Sequence, residues 1–375
     1  MNPNTRSILK HLLLFTLTLL TTTLAGVEWQ FSRFLFSSNP VTWEYFLKGF
    51  AFSVPLLGFL TVHEFGHYFA AKWHKVKVTL PFYIPLWLGF IGFPSIGTAG
   101  AVIRIKDLVE SRRKYFDIGI AGPLAGFVVA LGVLFYGFTH LPPPEYIFEI
   151  HPEYEEYGLD YADYVYEDNP LAFQVGTTLL FEFFKEYVAP QPERVPNPHE
   201  IIHYPWIFAG YLALFFTALN LIPIGQLDGG HVLYGLLGSR LHRKISPSLF
   251  VVFIFYAGLG LLNPYEPTND LLFNIPLYVG FLYIIFSRLS PSFQTNLLVA
   301  LSVFSGQFLV ATFDPSLQGY PGWLVFGFLL GRVLGIYHPP VMIDQPLDTS
   351  RKIIGWLTLL VFLLCFSPAP FVVES

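Results

Sequence analysis

The stretch that decides the fold runs Phe46-Leu-Lys-Gly-Phe-Ala-Phe-Ser-Val-Pro-Leu-Leu-Gly-Phe-Leu-Thr-Val-His63-Glu64-Phe65-Gly66-His67-Tyr-Phe-Ala-Ala71. Apart from Lys48 near its start and the group His63, Glu64 and His67, it is apolar or weakly polar throughout, and it is long enough to cross a bilayer, which takes about 20 residues. Its second half nevertheless holds two imidazoles and a carboxylate, groups that are costly in hydrocarbon and by default mark a functional site there. The segment reads as a membrane helix that carries chemistry. The plainer alternative is a buried His–Glu cluster satisfied by its own partners, with no metal.

Eight further apolar blocks flank it, near Ile8–Ala25, Phe116–Phe138, Trp206–Ile222, Leu249–Leu262, Leu272–Phe286, Phe293–Ala311, Trp323–Tyr337 and Ile353–Phe366. Several are short or contain Gly and Pro, which membrane helices tolerate. The expected fold class is therefore an all-α polytopic membrane protein of about nine transmembrane helices, with a short re-entrant β-hairpin beside the site. Composition agrees. Hydrophobic residues make up 53% and charged residues 13%, against about 25% charged in a soluble domain, and mean hydropathy is +0.53.

Charge sets the orientation, because cytoplasmic loops collect Lys and Arg. A cytoplasmic N-terminus puts 16 of the 21 Lys and Arg on that side. The Pro-rich segment His140–His203 holds thirteen of the 26 Asp and Glu, with only Lys185 and Arg194, and is expected outside. Within it, Leu171–Val188 is apolar enough for an interfacial helix. The chain divides at 1–45, 46–139, 140–203, 204–240 and 241–375, and a bacterial cytoplasmic membrane is the expected location. Its partners are a lipid bilayer and a membrane-protein substrate, with no nucleic acid. A cleaved signal peptide competes with an uncleaved first helix. The single cysteine, Cys365, excludes an internal disulfide framework and a cysteine-based metal site.

His-Glu-x-x-His occurs twice, at His63–His67 and at His199–His203. On a helix, residues four apart share a face, so both imidazoles can grip one Zn²⁺ while the Glu between them reaches a water. The second copy sits among Pro196, Pro198 and Pro205, which forbid a regular helix. It is expected to be interfacial rather than ligating. The first lies inside the apolar block, with His63 roughly 14 Å of helix from the basic end at Lys72.

Catalytic zinc usually takes three protein ligands and leaves a fourth position to water. The best candidate for the third is Asp228, in Asn220-Leu-Ile-Pro-Ile-Gly-Gln-Leu-Asp228-Gly-Gly-His231. The helix before it, Tyr204–Ile222, covers about 28 Å, close to one hydrocarbon thickness. Pro223 breaks that helix, and Gly225, Gly229 and Gly230 let the backbone bend. Alone, Asp-Gly-Gly also reads as an ordinary helix-ending turn. His231 is not assigned to the metal.

These residues resemble the site-2 protease family of intramembrane zinc metalloproteases. His63-Glu64-Phe65-Gly66-His67 matches the family's helix motif, and Asn220-Leu-Ile-Pro223 leading to Leu227-Asp228-Gly229-Gly230 matches its second. Gly119-Ile-Ala-Gly122-Pro123-Leu-Ala-Gly126 looks like its middle core helix, and Gly97–Ile105 like the strand before it. The similarity covers roughly Phe46–Arg240 and looks closest to the branch of cyanobacteria and plant plastids.

The resemblance implies peptide-bond hydrolysis in or beside a membrane helix of the substrate. His63, His67 and Asp228 would hold Zn²⁺, Glu64 would be the general base, and Asn220 would steady the substrate backbone or oxyanion. The broken, β-prone run Lys77–Ile105 reads as a re-entrant hairpin whose edge, Ala101–Ile105, pairs with an extended substrate; a packed cytoplasmic loop is the alternative. Gly122 and Gly126 are expected to serve close helix packing. Two competing functions are a metal or solute transporter using the buried His, Glu and Asp, and a catalytically inactive scaffold.

Overall fold

The computed structural model describes residues 3–166 and 173–373. Every apolar block of the sequence lies for its greater part on a helix, in chain order α1 (Pro3–Phe31), α2 (Trp43–Lys48), α3 (Phe50–Trp73), α4 (Arg112–Thr139), α5 (Tyr146–Ile150), α6 (Tyr161–Val165), α7 (Leu179–Phe183), α8 (Pro205–Leu221), α9 (Asp228–Leu237), α10 (Ser239–Ala257), α11 (Thr268–Phe286), α12 (Phe293–Phe313), α13 (Gly322–Leu329) and α14 (Thr349–Cys365). Four short strands join them, β1 (Phe82–Pro85), β2 (Thr98–Val102), β3 (Phe173–Val175) and β4 (Phe371–Val373).

Among the described residues, five helices are long and apolar enough to cross a membrane: Thr5–Phe31, Trp43–Trp73, Arg112–Thr139, Thr268–Phe286 and Phe293–Phe313. That is fewer than the nine expected, for visible reasons. Helix α10 opens with Arg240, Arg243 and Lys244, while α8 and α14 are 17 residues each, about 26 Å at 1.5 Å per residue and short of a ~30 Å hydrocarbon core. Helix α13 runs on through a wider turn, Leu330–Leu334, and stops at Gly335, whose φ of +89° leaves Ile336 and Tyr337 outside it.

Contacts group the chain into two units. The first comprises Met1–Val109, Ala121–Leu219 and Val361–Ser375. Its apolar core includes Phe52, Leu56, Phe59, Leu134, Phe138, Phe208 and Tyr211, with Cys365 buried beside them. Helices α1 and α3 meet backbone to backbone: a Cβ at Gly49 would lie 2.3 Å from the Thr23 carbonyl oxygen. The threonines there do not burden an apolar setting, because Thr22 and Thr23 donate to carbonyls one turn back at 2.6 and 2.7 Å. Thr23 also shares a buried 2.8 Å hydrogen bond with Ser53.

The expected hairpin is present in the same unit. Strands β1 and β2 pair antiparallel, Phe82 opposite Val102 and Tyr83 opposite Ala101. The strand lies earlier than expected, since β2 ends at Val102; beyond it Ile105 makes an isolated bridge to Val78, and Arg104 exchanges hydrogen bonds with Thr79 at 3.0 Å. Helix α1 holds the hairpin. Thr21 donates to the Gly97 carbonyl at 2.7 Å, Trp29 to that of Ser95 at 2.9 Å, and Trp87 of the hairpin donates to buried Glu28 at 2.6 Å.

The acidic insertion departs from the expected helix over Leu171–Val188. Leu171 and Ala172 lie outside the described residues, and Phe173–Val175 is a strand paired antiparallel with Phe371–Val373. Helix begins only at Leu179, where the Thr178 hydroxyl accepts from the Phe181 N–H as an N-cap.

The second unit comprises Glu110–Ile120 and Asn220–Leu360. Two guanidinium groups tie its pieces together. Buried Arg112 donates to the Gly235 carbonyl at 2.9 Å and pairs with Asp344 at 3.3 Å. Arg351 grips Asp117 with two hydrogen bonds, at 2.7 and 2.9 Å, the strong forked form of such a pair.

Candidate metal centre

Helix α3 places His63, Glu64 and His67 in the first unit, at 3, 7 and 7% exposure. The four-residue spacing does what it should: the two Nε2 atoms face each other at 3.1 Å, with ring centroids 4.8 Å apart. Imidazole nitrogens bound at 2.0–2.1 Å in a tetrahedral zinc shell lie about 3.3 Å from each other. The pair therefore fits the spacing that zinc requires, and two neutral imidazoles with carboxylates are a donor set zinc accepts.

The imidazoles are fixed by what the neighbouring helix lacks. A Cβ at Gly122 of α4 would lie 2.2 Å from His67 Nε2, and one at Gly126 would lie 3.1 Å from His63 Cβ and 2.9 Å from Phe59. From the other side, a Cβ at Gly66 would lie 2.5 Å from the Ala121 carbonyl. The glycines do serve close packing, as expected of small residues at four-residue spacing. At Gly122 the nearest neighbour is the His67 imidazole itself, and at Gly126 it is the Phe59 ring followed by His63, contacts that the sequence did not disclose.

Asp228 and Asn220 belong to the second unit. Asn220 is half-buried in the last turn of α8. After Leu221 the chain turns through Gly225, whose φ is +62° and whose N–H donates to Ser246 Oγ at 2.9 Å. Asp228 then opens α9, so Asp-Gly-Gly starts a helix here and the helix-ending alternative does not hold. A carboxylate in the first turn is favoured by the helix dipole. The two glycines let this start fold back: a Cβ at Gly229 would lie 2.0 Å from the Leu221 carbonyl oxygen, and one at Gly230 2.3 Å from that of Gly225.

His231 packs within an aromatic cluster, its ring 5.1 Å from Tyr115 and 4.9 Å from His338. His338 in turn stacks on Tyr234 at 3.7 Å. Burial pushes His242 and His338 down to about 4, so both are neutral at pH 7. Neither stands in a motif, and nothing in their sequence neighbourhood announces the cluster.

The second His-Glu-x-x-His forms no α-helix. Its last three residues make a tight 3₁₀ turn, Ile201–His203. His199 turns aside, with Nδ1 2.9 Å from the Phe173 carbonyl and its ring stacked on Tyr166 at 4.0 Å. The prolines around it account for the broken helix.

Residues 51–264, more than half of the chain, match peptidase family M50. Among curated proteins the chain is 32% identical over 187 residues to "Probable zinc metalloprotease EGY2, chloroplastic" of Arabidopsis thaliana, covering 50% of this chain and 28% of that protein. The protein of the same name from Oryza sativa subsp. indica is 29% identical over 230 residues, covering 56% and 37%. "Probable zinc metalloprotease EGY1, chloroplastic" of Arabidopsis thaliana is 29% identical over 200 residues, covering 52% and 31%. The match thus spans about a third of the length of these relatives. No solved structure matches the chain.

Proposed function

This chain belongs to peptidase family M50, and from that premise we propose that it is a site-2-type zinc metalloprotease hydrolysing a peptide bond within or beside a transmembrane segment of a membrane protein. The observation that carries the reading is the 3.1 Å approach of His63 and His67 Nε2 on a buried apolar helix, with Glu64 between them. Asp228 completes the ligand set in this proposal. It is supported by its place in the matched region and by a backbone that gives it the first position of a helix.

When bound, zinc polarises the scissile carbonyl and acidifies water. Glu64 takes a proton from the attacking water and returns it to the leaving amine, a task worth about 10²–10⁴ in rate. Asn220 donates from its amide to the substrate backbone or the developing oxyanion. The β1–β2 hairpin offers a strand to which an unwound substrate adds, exposing a peptide bond that a helix would keep in its own hydrogen bonds. The further helices that match apolar blocks complete about nine crossings, with the N-terminus on the cytoplasmic side of a bacterial membrane; the distribution of Lys and Arg along the sequence supports that orientation. A carboxylate placed between two ligands is what a hydrolase needs and a transporter does not.

The test is expression with a tagged single-span substrate. Glu64→Gln should keep its zinc and lose cleavage, while His63→Ala and Asp228→Ala should lose both. Persistent cleavage by Glu64→Gln, or unchanged zinc in the ligand variants, rejects the mechanism.

A further inference from the structure

Two residues of the second His-Glu-x-x-His meet a third that stands 52 positions before His203. His151 follows α5, Glu200 and His203 bracket the turn ahead of α8, and all three belong to the first unit. His151 Nε2 and His203 Nε2 are 3.2 Å apart, and Glu200 Oε2 is 3.5 Å from His203 Nε2. Glu200 is 1% exposed and His203 4%.

The partner of the other ring nitrogen fixes each tautomer. His203 Nδ1 lies 2.8 Å from the Gln30 carbonyl oxygen, which can only accept, so Nδ1 carries the ring hydrogen and Nε2 presents a lone pair. His151 Nδ1 faces the Glu153 carboxylate at 3.1 Å, with the same consequence. With both rings neutral, two lone pairs point at one another across 3.2 Å, an arrangement that calls for a shared cation, whether a proton or a metal ion. Beside them, Glu200 Oε1 accepts from the Tyr166 hydroxyl, while Oε2 finds no hydrogen-bond donor among the described residues. Buried acceptors gathered without a positive partner are costly. Imidazoles whose Nδ1–H is anchored on a carbonyl or carboxylate are oriented as metal ligands are.

We propose that His151, Glu200 and His203 form a second divalent-cation site, separate from the hydrolytic centre, that takes Zn²⁺ through two Nε2 atoms and one carboxylate oxygen. Ligand atoms at 2.0–2.2 Å in a tetrahedral zinc shell lie about 3.3–3.6 Å from each other, which the 3.2 and 3.5 Å separations match. The ion clamps the acidic insertion, through His151, to the head of α8, through His203, and by way of the Gln30 carbonyl to the end of α1. Because its ligands come from distant positions, binding there is also folding energy for the insertion.

The experiment uses full-length protein in detergent, stripped with a chelator, reloaded with Zn²⁺ and assayed for bound metal by elemental analysis. In a His63→Ala/His67→Ala background one equivalent of zinc should remain, and adding His151→Ala and His203→Ala should reduce it at least tenfold. Cobalt loaded in place of zinc should give a visible ligand-field band that disappears with the same changes. His151 is only partly buried, so His151→Ala alone, melting like the parent in chelator yet deaf to added zinc, separates a lost ligand from a lost fold. Absence of zinc from the His63→Ala/His67→Ala protein overturns the proposal and means that the cluster holds only a proton. So does zinc that survives loss of His151 and His203. If the hydrolytic reading alone were wrong, the His63→Ala/His67→Ala protein would instead hold as much zinc as the parent.

Discussion

Replacing Gly122 by alanine should abolish cleavage while leaving the protein folded. The added Cβ would start 2.2 Å from His67 Nε2 and 2.4–2.5 Å from the adjoining ring carbons, against an ordinary contact of 3.4 Å. Relief therefore needs a shift of about 1.2 Å, the difference between those distances. Backbone is not what obstructs. The three nearest atoms all belong to one imidazole, so the cheapest escape is rotation of the His67 ring, which carries Nε2 away from its 3.1 Å approach to His63. Misplacing a reacting group by about 1 Å costs on the order of 10²-fold in rate, and a ligand displaced that far also loses metal. Cleavage of a tagged single-span substrate and zinc content per chain, in detergent, are the two readouts. Gly132→Ala, on the same helix with nothing within 4 Å of the new Cβ, is the matched control and should retain both. If Gly122→Ala cut within threefold of the parent and kept its zinc, the claim that α4 sets the ligand geometry would be refuted.

Gly49→Ala should lower the melting temperature, since its Cβ meets the Thr23 carbonyl at 2.3 Å and overpacking costs about 1–3 kcal/mol; Gly58→Ala, with nothing within 4 Å, should not. Burial tends to raise the Asp344 carboxyl, but hydrogen bonds from Ser239 and the nearby Arg112 outweigh it and hold the group below its ordinary 3.8. Its stabilising share is therefore present above about pH 4 and lost as pH falls through the depressed value; the acid limb of a stability profile should be shallower for Asp344→Asn than for the parent. Deleting residues 366–373 removes β4 and the carbonyl of Pro370, to which the Tyr211 hydroxyl donates at 2.7 Å. Trypsin should then cut the acidic insertion faster, and an unchanged cleavage pattern would deny β4 any part in holding it.

How much of this could be read in the sequence depends on the range of the interaction. The helices were legible because lipid-length apolar runs and the four-residue spacing of His63 and His67 are local signals. The length of each crossing was less so. Basic residues at the start of α10 and the 17-residue limit of α8 and α14 separate an apolar block from a helix that spans. Strand β3 escaped notice because three residues of Phe-Gln-Val carry no periodicity, and their partners lie almost two hundred positions later. The Asp228 segment was placed correctly at a break, but its glycines open a helix rather than close one, a distinction set by what their missing Cβ atoms would strike. His151 gave no signal at all, since its spacing to His203 belongs to no motif.

The antiparallel pairing of Phe173–Val175 with Phe371–Val373 has a bearing on biosynthesis. A ribosome delivers the earlier strand many seconds before its mate, at roughly 5–20 residues per second. During that interval an unpaired β-edge stands exposed while some two hundred further residues are inserted. The first unit is thus finished only after the second has been translated, so helix α3, with His63 and His67, is made well before β3 can meet its partner.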